Sequence, residues 1–272
     1  MTTWFITGTA SGFGRSVTRQ LLERGDSVAA TLRRPARLDD LKAAHGDRLW
    51  VRELDVTDTA RLRAVVDEAF AELGRIDVVL SNAGYGIFGT AEELTDDQID
   101  QVLAANLVAG MHLARAAVPH LRAQGGGRFL QVTSQGGQIA YPGFSIYHAA
   151  KWGLEGFFEA FAPEVAPFGI AVTMVEPGMA DTPGIPNAPA AEEHPAYRDN
   201  PAILRPTDVP PEDLISDPEK VAAAIITLAE QDKPPLRQAL GSDAYANIYA
   251  SLTERLAALE NGRAFALTTD KG

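Results

Sequence analysis

No cysteine occurs in these 272 residues, which rules out disulfides and cysteine-ligated metal sites and suits a reducing compartment. Basic residues are scarce as well. The 24 Lys and Arg face 36 Asp and Glu, leaving a formal net charge of −12 and a pI near 4.9. A surface of that sign repels the phosphate backbone and anionic lipid, so neither nucleic acid nor a membrane is expected as a partner. No apolar run approaches the ~20 residues of a membrane span. An apolar strand pattern already begins at Thr3, leaving no room for a signal peptide, and the expected location is the cytoplasm. The five histidines, His45, His112, His120, His148 and His194, show no metal-ligand spacing; they read as surface or internally satisfied residues, and no metal is expected.

What is present is enough apolar material, 46% of the chain, for one large core, and the expected organisation is a single domain over residues 1–272. Strand and helix patterns alternate throughout. Short β-branched runs at 3–7, 27–32, 49–54, 76–80, 129–133, 170–175 and 236–240 are separated by segments of helical period, and a tail helix is expected over about 243–261. From Pro177 to Pro218 the chain holds ten of its seventeen prolines and little periodicity. That excursion, about 178–217, is read as a substrate lid.

The first strand runs directly into Gly8-Thr9-Ala10-Ser11-Gly12-Phe13-Gly14 and then a helix ending at Gly25. Glycines there let the backbone approach a pyrophosphate while the unpaired N–H groups of the helix face its charge. The spacing is Gly-x-x-x-Gly-x-Gly, not the Gly-x-Gly-x-x-Gly of the usual Rossmann fingerprint. Its place between first strand and first helix is where an open parallel sheet binds a dinucleotide. After the second strand, where a site for NAD would carry an acidic residue, stand Arg33 and Arg34. A guanidinium there suits a 2′-phosphate, so NADP(H) is expected, with NAD(H) the alternative.

Between Ser134 and Lys151 lie a hydroxyl, a phenol and an ammonium. Tyr147 and Lys151 are four apart, one turn along one face of a helix. A neighbouring ammonium lowers a phenol's pKa, and such a tyrosine exchanges protons with an alcohol or carbonyl oxygen. Ser134, at the end of the fifth strand, can offer that oxygen a second donor. The bland alternative is a solvated tyrosine beside a snorkelling lysine. Two consecutive helical segments are expected over Asp97 to Gln124, with Asn106 near their junction among apolar neighbours; the residues alone leave open whether it is structural or functional.

In this order the motifs resemble the short-chain dehydrogenase/reductase family from Thr7 to about Gly241. The resemblance implies a Rossmann-type α/β fold, a doubly wound parallel sheet of about seven strands. It also implies a cofactor motif at Gly8, Ser11, Gly12, Phe13 and Gly14, an adenine contact at Asp55 and Val56, a steadying turn at Asn82-Ala83-Gly84, and a nicotinamide-side segment at Pro177, Gly178 and Thr182. Ser134, Tyr147, Lys151 and Asn106 match the family's catalytic tetrad. Carried over, Tyr147 is the acid in reduction and the base in oxidation, and Ser134 positions the substrate oxygen. Lys151 holds the nicotinamide ribose and depresses the tyrosine pKa, while Asn106 anchors a water. One departure is Ser11, where many NADP-preferring members place a basic residue. The resemblance further implies a homodimer or homotetramer built through the helices holding Asn106 and Tyr147.

The reaction expected is interconversion of a ketone or aldehyde with an alcohol, the cofactor supplying hydride chemistry and the protein orientation and a proton. Substrate-side candidates are Gln135, Gly136, Tyr85, Phe88, Tyr141, Phe144 and Met179, a mostly apolar set suited to an uncharged carbonyl compound. A cofactor-sensing protein without turnover is the alternative from another class. Acyl-carrier-bound substrates would need a basic patch, for which Arg198 or Arg205 is available.

Overall fold

The computed structural model describes residues 1–184, 187–203, 205 and 209–271. Seven strands, β1 (Thr3–Thr7), β2 (Ser27–Leu32), β3 (Leu49–Glu53), β4 (Val78–Ser81), β5 (Gly127–Val132), β6 (Ile170–Pro177) and β7 (Arg237–Leu240), form one parallel sheet in the order β3-β2-β1-β4-β5-β6-β7. Because both faces are covered, the central strands are apolar without alternation: Trp4, Phe5 and Ile6 are all at most 1% exposed.

Successive residues feed opposite cores. Phe5, Ala29, Val79 and Phe129 pack under α3 (Thr59–Leu73), α5 (Ala109–Ala123) and α6 (Ser145–Val165). Trp4, Ile6, Val28, Leu80 and Leu130 pack on the other face, under α1 (Gly12–Glu23), Leu41 of α2 (Asp39–His45) and α7 (Pro218–Glu230). The strand order reverses at β1, which pairs with β2 through Thr7↔Thr31 and with β4 through Ile6↔Leu80. A crevice therefore opens beyond the carboxyl ends of β1 and β4.

Helix α6 passes through Pro163 and ends at Val165, two residues before Pro167. Burial of Phe158, Phe161 and Val165 against the sheet outweighs the one hydrogen bond a proline removes. Asp26, in the turn between α1 and β2, is 5% exposed; it accepts from the Thr2 N–H at 2.7 Å and pairs with Arg24.

Helix α4 (Asp96–Leu103) runs through a π turn (Ala104–Val108) into α5, giving 28 continuous helical residues, Asp96–Ala123, long and apolar enough by length and composition to cross a membrane. In the fold that apolar face is spent on packing, with Leu113, Ala114, Ala117 and Leu121 in the core. The expected lid is partly described, residues 185, 186, 204 and 206–208 lying outside the described residues. It is tied down by bridges Phe88↔Ala190 and Ala180↔Ser216. After β7 come α8 (Ser242–Asn261) and α9 (Arg263–Ala266).

Candidate active site

A cavity of about 700 Å³ occupies the crevice at the strand ends. The glycine turn forms one wall. Gly8 has φ +75°, and a Cβ there would lie 2.8 Å from the Ala83 Cα; Gly12 has φ +54°. Only glycine gives this close, left-handed path. Gly8, Ser11, Gly12 and Phe13 line the cavity, whereas Gly14 packs behind it against the Gly8 carbonyl and the Asn82 amide. The N-cap Ser11 makes no side-chain capping bond and the first turn of α1 holds no acid. Its N–H groups are thus available to an anion.

Arg33, Asp55 and Val56 line the far end; Arg34 does not. Arg33 is exposed and makes no ion pair among the described residues, and its charge reaches Asp55. Thr57 donates to Asp55 Oδ1 through its backbone N–H at 3.0 Å and its hydroxyl at 2.7 Å, which holds the carboxyl below its usual range. Asn82, Ala83 and Gly84 follow β4. Thr7 Oγ1 accepts from the backbone N–H groups of Asn82 and Ala83, and the Asn82 amide donates to the Thr7 carbonyl at 3.0 Å, locking that turn to β1. Pro177, Gly178 and Thr182 close the opposite side. Glycine cradle, uncapped helix terminus and free guanidinium together fit a dinucleotide.

Ser134, Tyr147 and Lys151 share one wall of this cavity. Ser134 leaves β5 and caps a short turn, its Oγ accepting from the Gly136 N–H at 3.0 Å. Lys151 Nζ donates to the Val132 carbonyl at 3.1 Å and lies 5.6 Å from the centre of the Tyr147 ring. The expected lowering of the phenol by the lysine is not what this geometry gives. Packing withdraws Tyr147 from water and pushes its pKa up, with only the Ser134 hydroxyl pulling it back. Lys151 is buried, and desolvation pushes its pKa down to about 8 against the opposing pull of Glu155. Desolvation outweighs the Ser134 hydrogen bond at Tyr147 and the charge of Glu155 at Lys151.

Asn106 lies in the π turn behind the cavity, 3% exposed. Its Oδ1 accepts from the Tyr85 N–H at 2.9 Å and its Nδ2 donates to the Tyr85 carbonyl at 2.6 Å. The side chain thus clasps the loop that follows β4. His148, not singled out from sequence, is buried and internally satisfied. Its Nδ1 hydrogen-bonds the Gly136 carbonyl at 2.8 Å and its Nε2 accepts from the Tyr141 N–H at 3.2 Å, fixing both ends of the loop between Ser134 and Tyr141.

Gln135, Tyr85, Phe88, Tyr141, Phe144 and Met179 line the cavity; Gly136 does not, and backs onto His148. Phe144 packs between Phe88 and Tyr147 with its ring tilted against both, ring centres 4.5 Å from each. Sequence reasoning did not single out Gln101, Ala105, Ala180 or Pro183, which also line it. Ala105 and Gln101 sit on the helix of Asn106, a neighbourhood that helical period could have flagged. A second cavity of about 1030 Å³ shares Gln135, Tyr141 and Met179 and opens between the excursion and α8. At its edge Arg205 grips the fully buried Glu93 side chain with two bonds of 2.9 and 2.7 Å. Arg198 pairs with Glu193 at 3.4 Å. Among the described residues, no group of three or more His, Asp or Glu is placed to hold a metal ion.

A family model described as short chain dehydrogenase matches residues 2–193. Oxidoreductase BOA17 of Botryotinia fuckeliana is 36% identical over 244 residues, 89% of this chain and 89% of its own. The 3-ketodihydrosphingosine reductase of Bacteroides thetaiotaomicron is 33% identical over 177 residues, covering 65% of this chain and 63% of its own. Among solved structures, a short-chain dehydrogenase from Streptomyces avermitilis superposes with a TM-score of 0.90 at 38% identity, over 99% of this chain and 100% of that one.

Proposed function

The chain belongs to the short-chain dehydrogenase family, and from that premise we propose that it is an NADP(H)-dependent oxidoreductase converting a ketone or aldehyde to an alcohol, with Tyr147 as the proton donor. The observation that carries this is the shared wall: two hydroxyls and an ammonium face the same cavity as the glycine cradle.

Bound along that cradle, the reduced nicotinamide supplies the hydride that the carbonyl carbon takes up. Gly8 and Gly12 admit the pyrophosphate, and the first turn of α1 faces its charge. Arg33 pairs with the 2′-phosphate, which is the ground for NADP(H) over NAD(H). Ser134 and Tyr147 grip the substrate oxygen, and Tyr147 hands it a proton as the carbonyl is reduced. Burial holds the phenol above its ordinary value, so Tyr147 carries its proton at neutral pH. Lys151 holds the ribose, and Asn106 fixes the Tyr85 loop as well as a place for a relay water.

The aromatic lining of Phe88, Tyr141 and Phe144 suits an uncharged apolar carbonyl, and the adjoining second cavity leaves room for an extended substituent. A reductase of a 3-keto lipid base among the relatives agrees with that shape. Carrier-bound substrates are disfavoured, since Arg198 and Arg205 each face a carboxylate. The exposed Val108 and Trp152, beside Asn106 and Lys151, support assembly through the α4–α6 surface in a cytoplasmic homodimer or homotetramer.

The test is to mix purified protein with NADPH and a panel of ketones and aldehydes while following the absorbance of the reduced nicotinamide. Substrate-dependent loss of signal is expected. Tight cofactor binding with no turnover on a broad panel would instead make the chain a cofactor sensor.

A further inference from the structure

From Leu252 to Lys271 every residue is exposed, although α8 continues unbroken to Asn261. The body holds only the root of this helix. Ala244 and Ile248 are buried, Asn247 Nδ2 donates to Gln135 Oε1 at 3.0 Å, and Ser251 Oγ donates to the Gln138 carbonyl at 2.9 Å. Farther along, Arg255 stacks over Trp152 at 4.7 Å. Beyond it the helix stands free. Isolated helices shorter than ~12–15 residues are marginal in water, so an unsupported arm of this length calls for something to pack on.

Its outer face shows what. Tyr245, Tyr249, Leu252, Leu256 and Leu259 are 47–70% exposed, and they recur at intervals of four, three, four and three residues. That is the seam of a two-stranded helical pair, and it complements itself. Phe265 and Leu267, 80% and 59% exposed, extend the apolar surface past α9. Together these seven side chains offer on the order of 700 Å², close to the ~800 Å² that a standard interface takes from each partner.

Charge selects the occupant. Residues 242–271 carry Asp243, Glu254, Glu260 and Asp270 against Arg255, Arg263 and Lys271, a balance of −1 in a chain of −12. Two acidic copies meet with least repulsion along this arm. An anionic membrane finds no basic cluster on it.

We propose that the seam of α8 packs against the same seam of a second copy of this chain, an interface that adjoins the α4–α6 surface where Arg255 stacks over Trp152. The inner face of the same helix holds Gln135 and Gln138. Pairing on the outer face therefore stiffens one wall of the substrate cavity.

The absence of native cysteine makes the test direct. Full-length Leu252→Cys, Leu256→Cys and Leu259→Cys variants, oxidised at low micromolar concentration, should each give covalent dimers, while Asn261→Cys on the flank away from the seam should not. Light scattering of a Leu252→Glu/Leu256→Glu/Leu259→Glu variant with native circular dichroism should show a twofold smaller assembly. Seam thiols that stay unlinked would overturn the proposal, as would an unchanged mass in the folded triple variant. Co-sedimentation of the native chain, as a monomer, with phosphatidylcholine vesicles would overturn it too, showing a lipid-facing arm.

Discussion

At Tyr147 two effects oppose each other, and their balance decides what the residue can do. Loss of water raises the phenol, and the lysine one turn on, itself desolvated and 5.6 Å from the ring, does not reverse this. The four-residue spacing was legible in the sequence; burial was not, because it depends on Phe144 and the loop that His148 holds. Lys151 carries a proton only below about 8. The kcat/KM of the free enzyme should accordingly fall as pH rises through about 8. Glu155 pulls that value upward, so Glu155→Gln should move the alkaline limb of the profile to lower pH. Arg33 gives a second residue-scale expectation. Loss of one charge-assisted contact, about 1.5–3 kcal/mol, predicts that Arg33→Ala raises the dissociation constant for NADPH roughly 10- to 100-fold and leaves NADH nearly unchanged in paired binding titrations.

Elements were easier to read than the contacts between them. Apolar runs with glycine punctuation located the strands, and helical period located α1, α3 and α6, because each packs on one face of the sheet. The Glu93–Arg205 pair was not legible: it joins positions 112 apart through an irregular segment without periodicity. Arg205 and backbone N–H groups hold Glu93 at about 2, below its ordinary value of 4.5. A lowered acid stabilises the fold fully above its ordinary value and loses that contribution as pH falls from about 4.5 through about 2. Removing one partner of such a buried pair costs about 3 kcal/mol. Arg205→Ala should therefore speed hydrogen exchange in residues 190–198 by about 10²-fold at pH 7, and the difference from the native chain should shrink toward pH 2.

Across the whole molecule, acidity is managed by pairing buried carboxylates. Glu155 and Glu176, both nearly inaccessible, meet Arg237 of β7 at 2.8 and 3.8 Å, and Gln138 donates to Glu176 at 3.0 Å. This cluster ties α6, β6 and β7 together. Burial raises Glu176 well above the usual carboxylate range, and the neighbouring Glu155 adds to the rise. An acid raised in the folded state contributes stability that is present below its ordinary value and is lost as pH rises toward the folded one. Glu176→Gln should flatten the decline in melting temperature between about pH 4.5 and about pH 7, as read by calorimetry. Composition announced the excess of acid. Only the packed sheet shows which carboxylates leave water.

The measurement that bears most directly on proton donation by Tyr147 is a comparison of native protein and Tyr147→Phe in a single turnover with saturating NADPH and the best ketone of the panel. Removing the phenolic hydroxyl should slow reduction about 10²- to 10⁴-fold with cofactor affinity unchanged. Reduction at the native rate by the folded, cofactor-bound variant would contradict it.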